Sequence, residues 1–331
     1  MDIYEQITEE FSNLAPMQDW EELRTLFSRV ASKRPYYWML PVWACEGVGG
    51  STSQAIPAAL SVACSQISLI LIDDMLDSDP RGEYLLKGAP AVANMACALQ
   101  AAGAVAIAQS TTRVDVRQAA LSSLNLMTLV TCHGQYRDNC GITDEGSYWR
   151  VVRAKSSPFF GSALYLGALL GGAHERVAGR LKSLGNLYGE MIQIHDDLND
   201  ALEVPANPDW MPGHCSLPIL FAQVVEHPDR SRFEALRQGP LGQDDLAEAQ
   251  SILIRCGAIS YGIDQLVQRY QKCQKILDCL PLQDYTGMKH MFDQVIDPVI
   301  KMLAAFGLDQ APLPPISTSL SGCESGGNIP N

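Results

Sequence analysis

The segment QISLILIDDMLD at positions 66–77 is the most informative part of this sequence, and GEMIQIHDDLND at positions 189–200 repeats its form. In both, an apolar run ends in Asp-Asp-x-x-Asp, and the two motifs lie 123 positions apart. Residues three and four apart share one face of a helix, so each motif gathers three carboxylates on one side. Crowded carboxylates at the edge of an apolar wall repel one another, and this oxygen-only ligand set suits Mg²⁺ better than zinc.

Mg²⁺ held by one or two carboxylates commonly takes its other ligands from water and substrate phosphates, so the motifs predict a phosphorylated substrate bound through metal. The predicted metal ligands are Asp73, Asp74, Asp77, Asp196, Asp197 and Asp200. A further pair, Asp244 and Asp245, has no third Asp and no apolar run before it. That pair is typical of an ordinary helix start with acids at the positive end of the helix dipole.

Charge and composition exclude several classes. The 331 residues carry a formal charge of −13, which argues against a nucleic-acid surface because phosphate contacts need a basic face. The acidic start, MDIYEQITEEF, is neither a signal nor a transit peptide, which predicts a cytoplasmic protein. Apolar runs at 91–110 and 159–173 do not read as transmembrane segments, since the first contains Asn94 and Gln100 and the second is short.

Helical periodicity dominates the chain, and alternation of period two is nearly absent. We expect helices near 4–12, 17–31, 55–77, 91–109, 113–134, 144–172 with a break, 174–202, 215–226, 242–256, 258–280 and 284–305. No shift in composition divides residues 1–305, which predicts a single all-α domain followed by a disordered tail at 306–331. The segment 203–213 contains three Pro and predicts a loop after the second motif.

Two long helices that end in the Asp motifs can face each other across a cleft of a helical bundle. Below the motifs the walls are apolar, with Ile67, Leu69, Ile70 and Leu71 on one helix and Leu187, Met191, Ile192 and Ile194 on the other. A metal-bearing rim above a central apolar cavity fits a substrate with a diphosphate head and a hydrocarbon tail.

From Lys33 to Leu220 the sequence resembles the trans-isoprenyl diphosphate synthase (polyprenyl synthetase) family. The two Asp motifs correspond to the family's pair, and Gln193 completes its Gln-x-x-Asp-Asp form. Between them, Gln135 lies in a Gly-Gln-x-x-Asp segment, and Lys155-Ser156 resembles the Lys-Thr that reaches the allylic diphosphate. Ser216-Leu217-Pro218 resembles a Thr-Leu-Pro helix start.

The resemblance implies an isoprenoid synthase (class I terpenoid synthase) bundle that forms a homodimer and uses three Mg²⁺ ions. The implied reaction is ionisation of an allylic diphosphate, followed by carbocation attack on isopentenyl diphosphate. Clustered Mg²⁺ and Lys155 would stabilise the departing diphosphate, with Arg81 beside them. Lys33, Arg34 and Gln66 would hold isopentenyl diphosphate.

The chain departs from the family mostly in its cations. A Gly-Lys-x-x-Arg-Pro stretch is shortened to Ser32-Lys33-Arg34-Pro35, an Arg-Arg-Gly becomes Pro80-Arg81-Gly82, and Gln66 replaces a His. No Lys or Arg occurs from 201 through 229. Two alternatives therefore stay open: a terpene cyclase or diphosphate lyase that needs no isopentenyl diphosphate, and a non-catalytic regulatory subunit. A different fold, a His-Asp metal phosphohydrolase, would use His195-Asp196 with His133 or His174, but it leaves four of the aspartates unexplained.

Product length follows from residues four, five and eight before Asp73, which are Leu69, Ser68 and Ser65. Helical spacing places them beneath the metal site. Family members that stop at fifteen carbons tend to carry bulky aromatics at the nearer two positions. Small residues here therefore predict a product of about twenty carbons or longer, since each isoprene unit needs about three residues of helix depth.

Overall fold

A computed structural model describes residues 2–203, 215–238 and 242–305. Within these ranges every regular element is a helix, which confirms the predicted all-α class. The predicted tail at 306–331 and nearly all of the predicted loop at 203–213 lie outside the described residues.

The helices of the described ranges include sixteen α-helices and one 3₁₀ turn at Tyr36–Met39. They are α1 (Ile3–Asn13), α2 (Ala15–Gln18), α3 (Glu21–Ser32), α4 (Leu40–Gly47), α5 (Thr52–Leu76), α6 (Tyr84–Lys87), α7 (Ala89–Gln109), α8 (Val114–Asn139), α9 (Glu145–Lys155), α10 (Ser157–Leu170), α11 (Glu175–Leu202), α12 (Leu217–Val224), α13 (Arg230–Leu236), α14 (Gln243–Arg255), α15 (Ala258–Leu277) and α16 (Thr286–Ala305).

The long helices follow the predicted ranges, and the differences lie in short elements. Sequence periodicity did not reveal α4, α6 or α13, because four to eight residues are too few to show an apolar repeat. Helix α5 begins at Thr52, three residues before its predicted start, so Pro57 lies in its second turn. The predicted helix at 17–31 is divided by a turn at Asp19 and Trp20.

Helix α10 forms the centre of the bundle. Pro158 is the only one of its fourteen residues that is not buried, which explains the uninterrupted apolar run in this part of the sequence. It packs mainly against α11 and α4, and also against α8 and α5. The two Asp motifs are therefore carried by helices, α5 and α11, that both rest on one buried helix.

Helix α5 divides its side chains between two cores, which corrects the predicted apolar wall. Ile67 and Leu71 are buried with residues of α1, α3 and α7, on the side away from the central cluster. Leu69 packs against the central cluster around α10, and Ile70 is 47% exposed. Ser68 donates a hydrogen bond to the carbonyl oxygen of Ala96 on α7, at 2.9 Å, so it faces α7.

Two helices, α5 and α7, are long and apolar enough to cross a membrane by length and composition. The most apolar window of α5 is 72% buried within the fold, whereas that of α7 is 44% buried. Packing against the bundle therefore accounts for the apolarity of α5, and α7 keeps an exposed apolar face.

Close packing of α10 on α11 depends on Gly185. A Cβ at this position would lie 2.7 Å from the carbonyl carbon of Phe160 and 2.8 Å from the Cα of Gly161. Both are backbone atoms, so only a shift of one helix could relieve the clash. Gly179, six residues earlier on α11, has nothing within 4 Å of such a Cβ.

We predict that Gly185→Ala lowers the free energy of unfolding by about 1–3 kcal/mol, because overpacking forces the two helices apart. Gly179→Ala is the matched control on the same helix. It should raise stability by about 0.5–1 kcal/mol, because Ala loses less backbone entropy than Gly in a helix. Denaturant unfolding followed by circular dichroism measures both, and equal effects of the two substitutions would contradict the packing argument.

Candidate active site

The first Asp motif closes α5. Asp73 and Asp74 lie in its last turn, and Asp77 is the C-cap, with its N–H bonded to the carbonyl oxygen of Asp73 at 2.9 Å. The pKa of Asp74 is raised by burial and by the negative charges of Asp79 and Asp73. The end of α5 is thus a concentration of negative charge that a bound cation would relieve.

Lys155, the last residue of α9, contacts the first Asp motif. Its Nζ lies 2.8 Å from Oδ2 of Asp138 and 3.3 Å from Oδ1 of Asp73. Burial alone would lower the pKa of Lys155, but the charges of Asp73 and Asp138 outweigh it and raise the pKa. One ammonium group therefore ties α9 to the ends of α5 and α8.

The second Asp motif is divided by burial. Asp196 and Asp200 are exposed, whereas Asp197 is 5% exposed. The carboxylate of Asp197 accepts hydrogen bonds from the Tyr148 hydroxyl at 2.6 Å, the Leu217 N–H at 2.7 Å and Nε2 of Gln193 at 3.0 Å. Burial raises the pKa of Asp197 to about 6, although these three hydrogen bonds act in the opposite direction.

Asp197 therefore connects α11 to α9 and α12 beside the site, a structural role that the sequence motif did not reveal. Its neighbour Gln193 completes the connection, because Oε1 of Gln193 accepts a hydrogen bond from the Ser156 hydroxyl at 2.8 Å. The Gln-x-x-Asp-Asp and Lys-Ser motifs of the sequence meet through these two side chains. Gln135 is buried on α8, 9% exposed, and its Nε2 has no hydrogen-bond partner among the described residues.

A cleft of about 940 Å³ lies between the two motifs. Its polar lining includes residues of both motifs and the bridging lysine: Asp77, Arg81, Asp138, Lys155, Gln193, Asp197 and Asp200. Its apolar lining includes Leu76, Tyr148, Val151, Val152 and Ile219. The structure thus brings the ends of α5 and α11 to one cleft, as the sequence predicts.

The carboxylates fit a divalent cation by their chemistry. Among the described residues, no three Asp, Glu, His or Cys side chains converge closely enough to hold a metal ion. The donors are nonetheless oxygen atoms on shared helix faces, as Mg²⁺ prefers, and burial together with the charges of Asp79 and Asp73 raises the pKa of Asp74. Asp73, Asp74 and Asp77 on α5, with Asp196 and Asp200 on α11, are the residues that would hold it.

The residues expected to hold isopentenyl diphosphate do not form a free site. Both Nη atoms of Arg34 bind the carboxylate of Asp2, at 2.6 and 3.1 Å. Oε1 of Gln66 accepts a hydrogen bond from Nε1 of Trp38 at 2.7 Å. Lys33 is exposed at the end of α3.

Arg81, expected beside the allylic diphosphate, also has a partner in the chain. Its side chain is 88% exposed and binds Asp79 through Nε and Nη2, at 3.1 and 2.8 Å. Arg34, Gln66 and Arg81 therefore reach a ligand only by exchanging these partners.

The phosphohydrolase alternative is wrong. His174 is the N-cap of α11, and His195 lies near the other end of the same helix, about 30 Å away at 1.5 Å per residue. His133 accepts a hydrogen bond from Arg137 on the surface of α8. His174 therefore cannot share a metal ion with His195.

Comparison with known proteins gives a consistent result. The family model described as polyprenyl synthetase matches residues 31–253. A nonaprenyl diphosphate synthase of Mycobacterium tuberculosis is 30% identical over 179 residues, which cover 47% of this chain and 53% of that protein. A geranylgeranyl diphosphate synthase of Methanosarcina mazei is 26% identical over 263 residues, 72% of this chain and 78% of that protein.

Among solved structures, the fold matches a geranylgeranyl pyrophosphate synthase from Corynebacterium glutamicum complexed with calcium and isoprenyl diphosphate. The TM-score is 0.75 at 22% identity, and the alignment covers 90% of this chain and 93% of the other. The bundle architecture is therefore shared with that enzyme.

We predict that Asp197→Ala lowers the free energy of unfolding by about 1–3 kcal/mol, because the buried Tyr148 hydroxyl and Leu217 N–H lose their acceptor. Asp196→Ala, in the same motif but exposed, should change stability by less than about 0.5 kcal/mol. Thermal and denaturant unfolding without added metal measure both. A loss of stability in Asp196→Ala as large as that in Asp197→Ala would contradict the conclusion that only Asp197 has a structural role.

Proposed function

The chain belongs to the polyprenyl synthetase family, and we propose that it is a divalent-metal-dependent prenyltransferase joining an allylic diphosphate to isopentenyl diphosphate. The observation that carries this proposal is the position of Lys155. Its ammonium group lies between Asp73 and Asp138 in the cleft that Asp197 and Asp200 line from the other side. A cation placed between two carboxylate-bearing helix ends is suited to receive a diphosphate together with its metal ions.

The proposed metal is Mg²⁺, with three ions bound, by Asp73, Asp74 and Asp77 on α5 and by Asp196 and Asp200 on α11. When bound, Mg²⁺ would neutralise charge on the diphosphate and favour its departure. The support is the all-oxygen donor set, which suits Mg²⁺, and the closeness of Asp73, Asp74 and Asp79, whose charges act together with burial on the pKa of Asp74. Asp197 contributes mainly by holding Tyr148 and α12 in place.

The chain's own residues supply the other requirements of ionisation. Lys155 can donate a hydrogen bond to a diphosphate oxygen while staying close to Asp138. Gln193, fixed by Ser156 and Asp197, keeps α11 in register with the start of α10. Val151, Val152 and Ile219 present an apolar wall that excludes water from a carbocation.

A second function, a terpene cyclase or diphosphate lyase, is favoured by one observation. Arg34 is bound by Asp2, and Gln66 is bound by Trp38, so two of the three residues expected to hold the second diphosphate already have partners. An enzyme that ionises one allylic diphosphate needs no second site. The contact between Arg34 and Asp2 is exposed, however, and such pairs contribute only about 0.2–1 kcal/mol. An incoming diphosphate can therefore displace it.

The proposed assembly is a homodimer. Helices α7 and α8 expose large apolar side chains on one side of the bundle, among them Val105, Leu126, Leu129 and Tyr136. Leu126 and Leu129 are more than half exposed, which is unusual for Leu on a free surface of a bundle. A second copy of the chain is the proposed occupant of this face.

The proposed product has about twenty carbons or more. Leu69, four residues before Asp73, faces the central cluster, and no aromatic side chain stands at that position. Ser68 and Ser65 are buried, and Ser68 bonds to α7. Of the residues that the sequence analysis names, Leu69 is therefore the one placed to shorten the product, because Ser68 faces α7.

We predict that the protein extends an allylic diphosphate only when isopentenyl diphosphate and Mg²⁺ are both present, and that EDTA abolishes the reaction reversibly. Mass spectrometry of the products, with isopentenyl diphosphate present or omitted, measures this. A hydrocarbon or alcohol formed without isopentenyl diphosphate would establish the cyclase or lyase instead, and full turnover in EDTA would refute both.

Asp2→Asn and Arg34→Ala test the second substrate site in opposite directions. Asp2→Asn keeps a good N-cap for α1 but releases Arg34, so the KM for isopentenyl diphosphate should fall about two- to fivefold. Arg34→Ala should raise that KM and leave the KM of the allylic substrate nearly unchanged. Unchanged KM values in both variants would show that Arg34 does not hold isopentenyl diphosphate.

For product length, Leu69→Phe should shorten the product by overfilling the space beneath the metal site. Ser68→Phe is the control, because its side chain points at α7 and should lower stability without a matching change in length. Chromatography of the hydrolysed products gives the chain length. A shorter product from Ser68→Phe, with none from Leu69→Phe, would show that Ser68 lines the hydrocarbon path.

A further inference from the structure

Helix α9 presents two different faces. Tyr148, Val151, Val152 and Lys155, at helical spacing, line the cleft. Glu145, Trp149 and Arg153 follow a second stripe, four residues apart, and contact α11 and α15. Any roll of α9 about its own axis would move both stripes together, so contacts of the second stripe fix where the first one points.

The strongest contact of the second stripe is a buried charge network. Arg269 of α15 is 5% exposed, and its Nε lies 2.7 Å from Oε2 of Glu190 on α11, which is 6% exposed. Arg153 of α9 binds the other oxygen of the same carboxylate, at 2.9 Å. The guanidinium of Arg269 also lies over the indole of Trp149, with 3.8 Å from its central carbon to the ring centroid.

A network of this kind is a poor source of stability, because desolvation of buried charges cancels most of their attraction. What it supplies is geometry. The planar guanidinium takes a fixed position from Glu190 and from Gln265, whose carbonyl and side-chain oxygens accept hydrogen bonds from Nη1 at 3.0 and 2.9 Å. Trp149 can stack on that plane only when α9 has one rotation about its axis.

Trp149 in turn packs edge-on against Tyr148, with ring centroids 4.8 Å apart. Tyr148 donates its hydroxyl hydrogen to Asp197, and Lys155 lies two turns further along the same face. A second contact anchors the start of α9, where Tyr261 of α15 donates a hydrogen bond to Glu145 at 2.6 Å. Helix α15, which contributes no side chain to the cleft, thus holds α9 at two points.

We propose that Arg269 is a positioning residue for the diphosphate site: stacked on Trp149 and bound to Glu190, it fixes the rotation of α9 and so places Lys155 and Tyr148. This inference rests on the proposed function, since it assigns Lys155 to the allylic diphosphate. It adds a residue 45 positions after the end of α12, the last helix that lines the cleft, on a helix that carries neither Asp motif.

The variant that tests it is Arg269→Met, which keeps an unbranched side chain and leaves Glu190 paired with Arg153. The matched control is Arg255→Met, because Arg255 binds Asp229 on the surface. We expect kcat to fall at least tenfold in Arg269→Met, with the KM for isopentenyl diphosphate unchanged. Arg255→Met should keep wild-type kinetics, and Arg269→Lys should recover only part of the loss, because an ammonium group cannot form the planar stack.

A double variant, Arg269→Met with Glu190→Leu, separates position from stability. Removing the buried carboxylate as well should restore thermal stability to near the wild-type value, while kcat stays low because the stack on Trp149 is still missing. It also keeps the test open where Arg269→Met alone folds poorly. Recovery of kcat together with stability would overturn the proposal and reduce Arg269 to a structural ion pair.

A readout without turnover distinguishes this inference from the proposed function. The rate at which an amine-reactive acylating reagent modifies Lys155, followed by mass spectrometry at one pH, reports whether its ammonium group still lies between Asp73 and Asp138. We expect modification of Lys155 to be at least fivefold faster in Arg269→Met and unchanged in Arg255→Met. Equal rates of Lys155 modification in the wild type and in Arg269→Met would overturn the positioning role. If Lys155 is modified slowly in the wild type, but the wild type does not join an allylic diphosphate to isopentenyl diphosphate, only the proposed function is refuted.

Discussion

The ion pairs of Lys155 are the interaction on which the site depends. An ammonium group between Asp73 and Asp138 joins the ends of three helices, α5, α8 and α9, that the chain supplies from distant segments. Their close approach is possible because Gly134 has no side chain: a Cβ there would lie 2.7 Å from the Cα of Lys155. The Gly-Gln-x-x-Asp segment thus provides both the space for α9, at Gly134, and a carboxylate for its lysine, at Asp138. Without that pairing, Asp73 would lose the ammonium group that connects it to α8 and α9.

The aspartates of the second motif differ in burial, and their roles differ accordingly. Asp196 and Asp200 are exposed to solvent, whereas the buried Asp197 accepts hydrogen bonds from donors on α9, α11 and α12. A buried carboxylate with three donors fixes the backbone around it at a defined distance. The second motif is therefore anchored by its middle residue, and its outer residues project from that anchor. In the first motif, Asp73 is bound by Lys155 from α9.

Most of the fold could be predicted from the local periodicity of apolar residues in the sequence. The long helices and the junction of both motifs at one cleft follow from apolar spacing and from the positions of the aspartates. Partners distant in sequence left no such trace: Asp2 and Arg34 are 32 residues apart, and Tyr148 and Asp197 are 49 apart. The orientation of Ser68 also escaped, because an apolar helix buried on nearly all sides has no clear polar face to show which residues point inward. Arg269, one of three basic residues on the amphipathic helix α15, carried no signal of its contact with Trp149, because that partner lies 120 positions earlier in the chain.

The central claim is that the two motifs together bind metal and diphosphate around Lys155. Crystals of the protein grown with Mn²⁺ and an unreactive thiolo analogue of an allylic diphosphate test it directly, because anomalous scattering locates the metal independently of the protein coordinates. The account predicts anomalous peaks within ligand distance of Asp73 or Asp77 and of Asp196 or Asp200, with the diphosphate between them and Lys155 in contact with it. Peaks on only one motif, or a diphosphate bound away from Lys155, would contradict the account.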